Sequence, residues 1–122
     1  MKLIIMRDQI SKGVMSKKVH FSITATVEVS VEEKENIAKY KLGDTILYSN
    51  MEDRGSGILG AISRKAMAVE FNINDLINGR KIESEDILEI LDLEETIKSV
   101  AKNFKQILEA SANFGEEEVI EL

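Results

Sequence analysis

The chain has 122 residues, 43% of them hydrophobic and 31% charged, with no cysteine and a formal net charge of −6. That leaves room for one core rather than two, in a globular and not a disordered chain. It excludes disulfides, thiolate nucleophiles and cysteine metal sites, and its acidity argues against nucleic acid as a partner.

No apolar run approaches the roughly 18 residues that a spanning helix needs. The opening Leu3-Ile4-Ile5-Met6 is too short for a secretory signal core. A soluble cytoplasmic protein with no membrane partner is therefore expected. The charge is unevenly spread. Residues 1–82 carry 13 Lys+Arg and 10 Asp+Glu, so +3, whereas residues 83–122 carry 3 and 12, so −9. An acidic helix presenting a solvated face accounts for this, and the two halves can also meet across copies or with another protein.

Lys2 to Gln9 predicts a first strand. Its unbroken apolar run implies burial on both faces, or an edge covered by something else. Ser11-Lys12-Gly13 is a turn signal leading into a second strand from Val19 to about Val31. In that strand Phe21, Ile23, Ala25, Val27, Val29 and Val31 alternate with His20, Ser22, Thr24, Thr26, Glu28 and Ser30. One face is then apolar and packed, the other polar and wet.

Ser30-Val31-Glu32-Glu33 fits a capping box that starts a helix running to about Lys41, with Gly43 placed to take a left-handed conformation just past its end. Thr45 to Tyr48 predicts a short strand, and residues 45–62 as a whole form a glycine-containing irregular region. Met67, Val69, Phe71 and Ile73 restore alternation, so a strand from about Ser63 to Asn74 is expected to pair with the 19–31 strand. Asn74 to Gly79 reads as a turn or single helical turn, and Arg80 to Glu83 as a brief return strand.

From Ser84 to about Ala112 the period becomes helical. Ile87, Ile90, Leu91, Ile97, Val100, Ala101, Phe104, Ile107 and Leu108 recur every three or four residues. One long helix is expected, since neither Gly nor Pro marks a break; the alternative is a second helix capped by Asp92-Leu93-Glu94-Glu95. Gly115 ends it, and Glu116 to Leu122 is an acidic tail or an edge strand. The expected fold is α+β over residues 1–122: an antiparallel sheet of about four strands, two of them long, with one short helix and one long amphipathic helix packed on one face.

Gly55-Ser56-Gly57-Ile58-Leu59-Gly60 matches G-x-G-x-x-G. A dinucleotide site needs a strand before it and a crossover helix after it, and neither is legible here. A looser anion site using Arg54, Gly55, Gly57, Gly60, Arg64 and Lys65 remains as a ligand-binding reading.

His20 is the only histidine, and its spacing from Ser22 along the strand, roughly 6.8 Å, is too long for proton transfer. The carboxylate clusters are sequence neighbours, which is poor geometry for acid/base pairs. No catalytic residue, metal or cofactor is expected.

The leading expectation is a non-enzymatic binding or assembly protein that forms a homo-oligomer. It would use apolar length surplus to the small sheet, along the stripe Ile90, Ile97, Val100, Phe104, Ile107 and Leu108. An anion-binding domain and an acidic regulator of a protein partner are the alternatives.

Overall fold

In the computed structural model, which describes residues 1–12, 18–50 and 68–122, two long strands pair along their whole length. β1 spans Lys2–Lys12 and β2 spans Lys18–Glu28, antiparallel from Lys2↔Glu28 to Lys12↔Lys18. β2 then pairs on its other side with β5, Arg80–Ser84, from Ala25↔Arg80 to Phe21↔Ser84. β2 is thus the central strand, and β1 and β5 are the edges among the described residues.

Alternation on β2 puts Ile23, Ala25 and Val27 fully into the core, with Phe21 and Val29 packed beside them. Val31 does not join this face. It is the first residue of helix α1, Val31–Lys39, and is exposed.

The capping box forms as the sequence predicts. Ser30 Oγ accepts from the Glu33 amide at 3.1 Å, and the Ser30 amide donates to Glu33 Oε1 at 2.9 Å. The other end of α1 differs from expectation. Lys41, not Gly43, is left-handed, with φ 53°. The Leu42 amide reaches back to the Ile37 carbonyl at 2.9 Å and the Lys41 amide to that of Ala38 at 3.3 Å, a Schellman ending. Gly43 serves packing instead, because a Cβ there would lie 2.6 Å from the Asn74 amide group.

β3, Ile46–Asn50, pairs antiparallel with β4, Val69–Asn72, in a separate two-stranded sheet whose ladder is shifted at Ile46/Tyr48. Here the expectation fails on pairing: the strand ending at Asn72 joins β3, and β5 takes the place beside β2. Tyr48 and Phe71 face each other across the small sheet with ring centroids 6.3 Å apart. The turn after β4 is a helix, α2, Ile73–Asn78, capped reciprocally by Asn72 and Asp75.

The long helix α3 is continuous from Ile87 to Ser111, roughly 38 Å. Ile90, Leu93, Ile97, Val100, Phe104 and Leu108 join the buried residues of β2, α1, β4 and α2 in one cluster, and the helix itself lies against β2, β3, β5 and α1. Relative to the predicted stripe, its first turns are rotated. Ile87 and Leu91 are exposed, while Leu93 and Glu94 turn inward. Gly115, at φ 91°, closes the turn after the helix, and residues 116–122 form no strand. The fold is α+β: among the described residues, five strands in two antiparallel sheets, a long C-terminal helix and two short helices.

Candidate functional site

The register of the β1–β2 pair decides where β1 sends its side chains. Leu3 and Ile5 lie opposite Val27 and Ala25 and pack toward the core. Ile4 and Met6 lie opposite Thr26 and Thr24 on the other face, where they remain 48% and 56% exposed. Lys2 and Asp8 flank them on that same face by alternation. The apolar run read from the sequence is therefore half satisfied within one copy.

On the inner side, Arg7 forms an ion pair with Glu94 of α3, whose carboxylate is buried. This pair ties β1 to the helix near the helix's first turns.

Further along, β1 and α3 diverge and leave a groove of about 320 Å³. Met1, Leu3, Val27 and Ala101 give it an apolar floor, and Lys98, Lys102 and Lys105 rim it. Helical spacing explains the rim, since positions i, i+4 and i+7 share a face. These are all three of the cations that residues 83–122 carry. Lys98 holds Glu95 at 3.2 Å, and among the described residues Lys102 and Lys105 have no carboxylate partner. Long lysine stems lie along apolar surface while their ammonium groups stay in water, so the rim extends the floor and adds charge above it.

His20 Nε2 faces Glu85 Oε1 at 3.4 Å. Ser22 is buried at 2% exposure and its hydroxyl has no hydrogen-bond partner among the described residues, so the polar face of β2 is not uniformly wet. No cluster of three or more metal-ligating side chains occurs among the described residues. The titration of Glu33 is shifted. The Ser30 backbone N–H that it accepts holds its carboxyl below the ordinary value of 4.5, against a smaller opposing effect of burial.

The sequence-predicted residues divide three ways. Arg54, Gly55, Gly57, Gly60, Arg64 and Lys65 lie outside the described residues. Ile90, Ile97, Val100, Phe104 and Leu108 are buried inside the chain's own core, and Ile107 packs half-buried against it. Those residues are occupied in the chain's own core, and exposed apolar side chains lie elsewhere, among them Ile4, Met6, Ile46, Ile87, Leu88 and Leu91. The lysine groove and the β1 edge were not singled out from sequence. The signals for them were present: an apolar run too dense for one buried face, and three lysines at helical spacing in an otherwise acidic segment.

No family model matches the chain, and no curated protein or solved structure matches it. No helix among the described residues is long and apolar enough to cross a membrane.

Proposed function

We propose that this chain is a non-enzymatic binding and assembly protein of the cytoplasm, associating with a second copy of itself through the edge of β1. The observation carrying this reading is an eleven-residue edge strand with exposed apolar side chains. An edge of that length offers a row of backbone donors and acceptors as a template for another strand. Such edges are normally blunted by shortness, bulges or inward charge; β1 pairs with β2 without a bulge, and its inward charge, Arg7, is taken up within the chain by Glu94.

The strand is also complementary to itself. An antiparallel pairing centred on Ile5 sets Ile4 opposite the second copy's Met6 and Lys2 opposite the second copy's Asp8, on the face where all four are exposed. Cross-strand apolar and opposite-charge pairs of this kind each contribute roughly 0.2–1 kcal/mol. A two-fold axis repeats each pair, and the result is a continuous six-stranded sheet across two copies.

Sedimentation velocity tests the reading. A species of twice 13.7 kDa is expected at tens of micromolar, reduced to 13.7 kDa by Met6→Lys with the fold intact by circular dichroism. A wild-type chain that stays at 13.7 kDa overturns it.

A further inference from the structure

The groove between β1 and α3 combines two features that call for one kind of occupant. Its floor of Met1, Leu3, Val27 and Ala101 is apolar, and its rim is Lys98, Lys102 and Lys105. A purely apolar ligand leaves the rim unused, and a small hydrophilic anion leaves the floor wet. At about 320 Å³ the groove sits at the small end of the range for ligand pockets, roughly 300–1,000 Å³. It is also open along the helix, which favours an extended chain over a compact molecule.

The chain itself contains a segment of that chemistry. Glu116-Glu117-Glu118-Val119-Ile120-Glu121-Leu122 carries four carboxylates and three large aliphatic side chains. Every one of its residues is exposed, with Val119 at 81% and Ile120 at 69%. In an extended conformation Glu118, Ile120 and Leu122 share one side. That side presents two aliphatic groups to an apolar floor and a carboxylate to the lysine rim.

We infer that the groove receives the Glu116–Leu122 segment of a second copy. This rests on the self-association proposed above and adds to it a second contact, made by exchange of an acidic, apolar arm. A second copy is the occupant because the chain's own segment leaves α3 through the Gly115 turn and lies free of the groove. Exchange across a two-fold axis is reciprocal, so both grooves fill in a closed dimer. The −9 and +3 halves of the chain do not by themselves dictate this contact. The specific complement is between the tail and the three lysines inside the acidic half.

The test uses a fluorescently labelled, end-blocked peptide of Gly115–Leu122 titrated onto the full-length chain carrying Ile120→Asp and Leu122→Asp, whose own arm no longer fills the groove, and read by anisotropy. Saturable binding is expected. It should weaken about tenfold or more when Lys102→Glu and Lys105→Glu are added, and weaken as salt rises from about 0.05 to about 0.5 M. A peptide with Glu117→Lys and Glu118→Lys should lose binding to this open groove and regain it on the lysine-reversed variant. That regain shows that the variant is folded and that charge pairing is the cause.

No binding to the open groove, or binding indifferent to the lysine reversal, overturns the assignment. The edge reading has its own readout. Met6→Lys should make the chain monomeric or weaken its dimer while leaving peptide binding to the open-groove chain in place. An open-groove chain that still dimerises and binds no peptide sinks the groove assignment alone, and a Met6→Lys chain that dimerises as tightly as wild type sinks the edge reading alone.

Discussion

β1 and β2 are both eleven residues long, lie side by side through their whole length, and carry five apolar residues each. In β2 those residues, Val19, Phe21, Ile23, Ala25 and Val27, fall on alternate positions, and the strand is central. In β1 four of the five, Leu3, Ile4, Ile5 and Met6, run consecutively, and the strand is an edge. One face of the sheet is all that a single copy buries well. β2 therefore buries Ile23, Ala25 and Val27 and packs Phe21 beside them, whereas Ile4 and Met6 of β1 are left on the outside. Equal hydrophobicity has different consequences according to period: alternation is satisfied by one core, and a continuous run asks for a second surface.

The largest effects should come from the buried side of this comparison. Phe104→Ala removes a side chain with no exposure, packed in the cluster with Ile23, and should cost about 3–5 kcal/mol by denaturant unfolding; Ile23→Ala should cost about 2–5 kcal/mol. Ile4→Ala on the neighbouring strand should stay within about 0.5 kcal/mol for the monomer. If Ile4→Ala cost as much as Ile23→Ala, the distinction between the two strands would be broken.

Next in size is the tie between β1 and α3. Arg7→Ala strands the buried Glu94 carboxylate and should cost about 2 kcal/mol, less than for a fully buried pair because Arg7 itself reaches solvent. Adding Glu94→Leu should recover most of the loss. No recovery would mean that Arg7 acts by packing and not by charge.

Two smaller changes lie in or just past α1, outside both strands, and should alter stability without altering association, although Glu33 also meets the Met1 ammonium at 3.5 Å. Lys41→Gly relieves the left-handed backbone at the end of α1 and should stabilise the chain by about 1 kcal/mol in a thermal or denaturant melt. Glu33 should give a modest acid sensitivity. Its folded pKa is depressed, so its contribution is full above about pH 4.5 and is lost as pH falls through the lower folded value. Glu33→Gln should flatten that part of the pH–stability curve. A change in sedimentation from either variant would point to an interface at α1 and away from β1.

Local chemistry was legible where neighbours in sequence satisfy each other. Ser30 and Glu33 are three residues apart and cap α1 as their identities demand. The 3.6-residue rhythm from Ile87 to Ser111 gives one helix because nothing in it interrupts the backbone ladder. The exit from α1 was read less well. Gly43 looked like the left-handed residue, yet the chain turns two residues earlier because the Leu42 amide must reach the Ile37 carbonyl, and Lys41 bears the strain. At the start of α3, Ile87 and Leu91 are as apolar as Ile90 and Leu93. Only the direction from which β2 approaches chose between the two faces.

Of the candidate site, the ingredients could be read but not the meeting. Lys98, Lys102 and Lys105 share a face by helical spacing alone. That this face borders Leu3 and Val27 depends on how α3 crosses the sheet. Likewise, β4 has the alternation of a strand wherever it pairs, and β3 rather than β2 became its partner.

By itself, then, the sequence determined most of the elements, the N-terminal cap of α1, the buried face of β2 and the acidity of the last third. These depend on covalent spacing, backbone geometry and residue type. Tertiary structure alone decided the pairing of strands, the burial of Glu94 beneath Arg7, and which apolar side chains were left over at the β1 edge. Those outcomes depend on contacts between distant segments competing for one limited core, and no periodicity within a single segment records who wins.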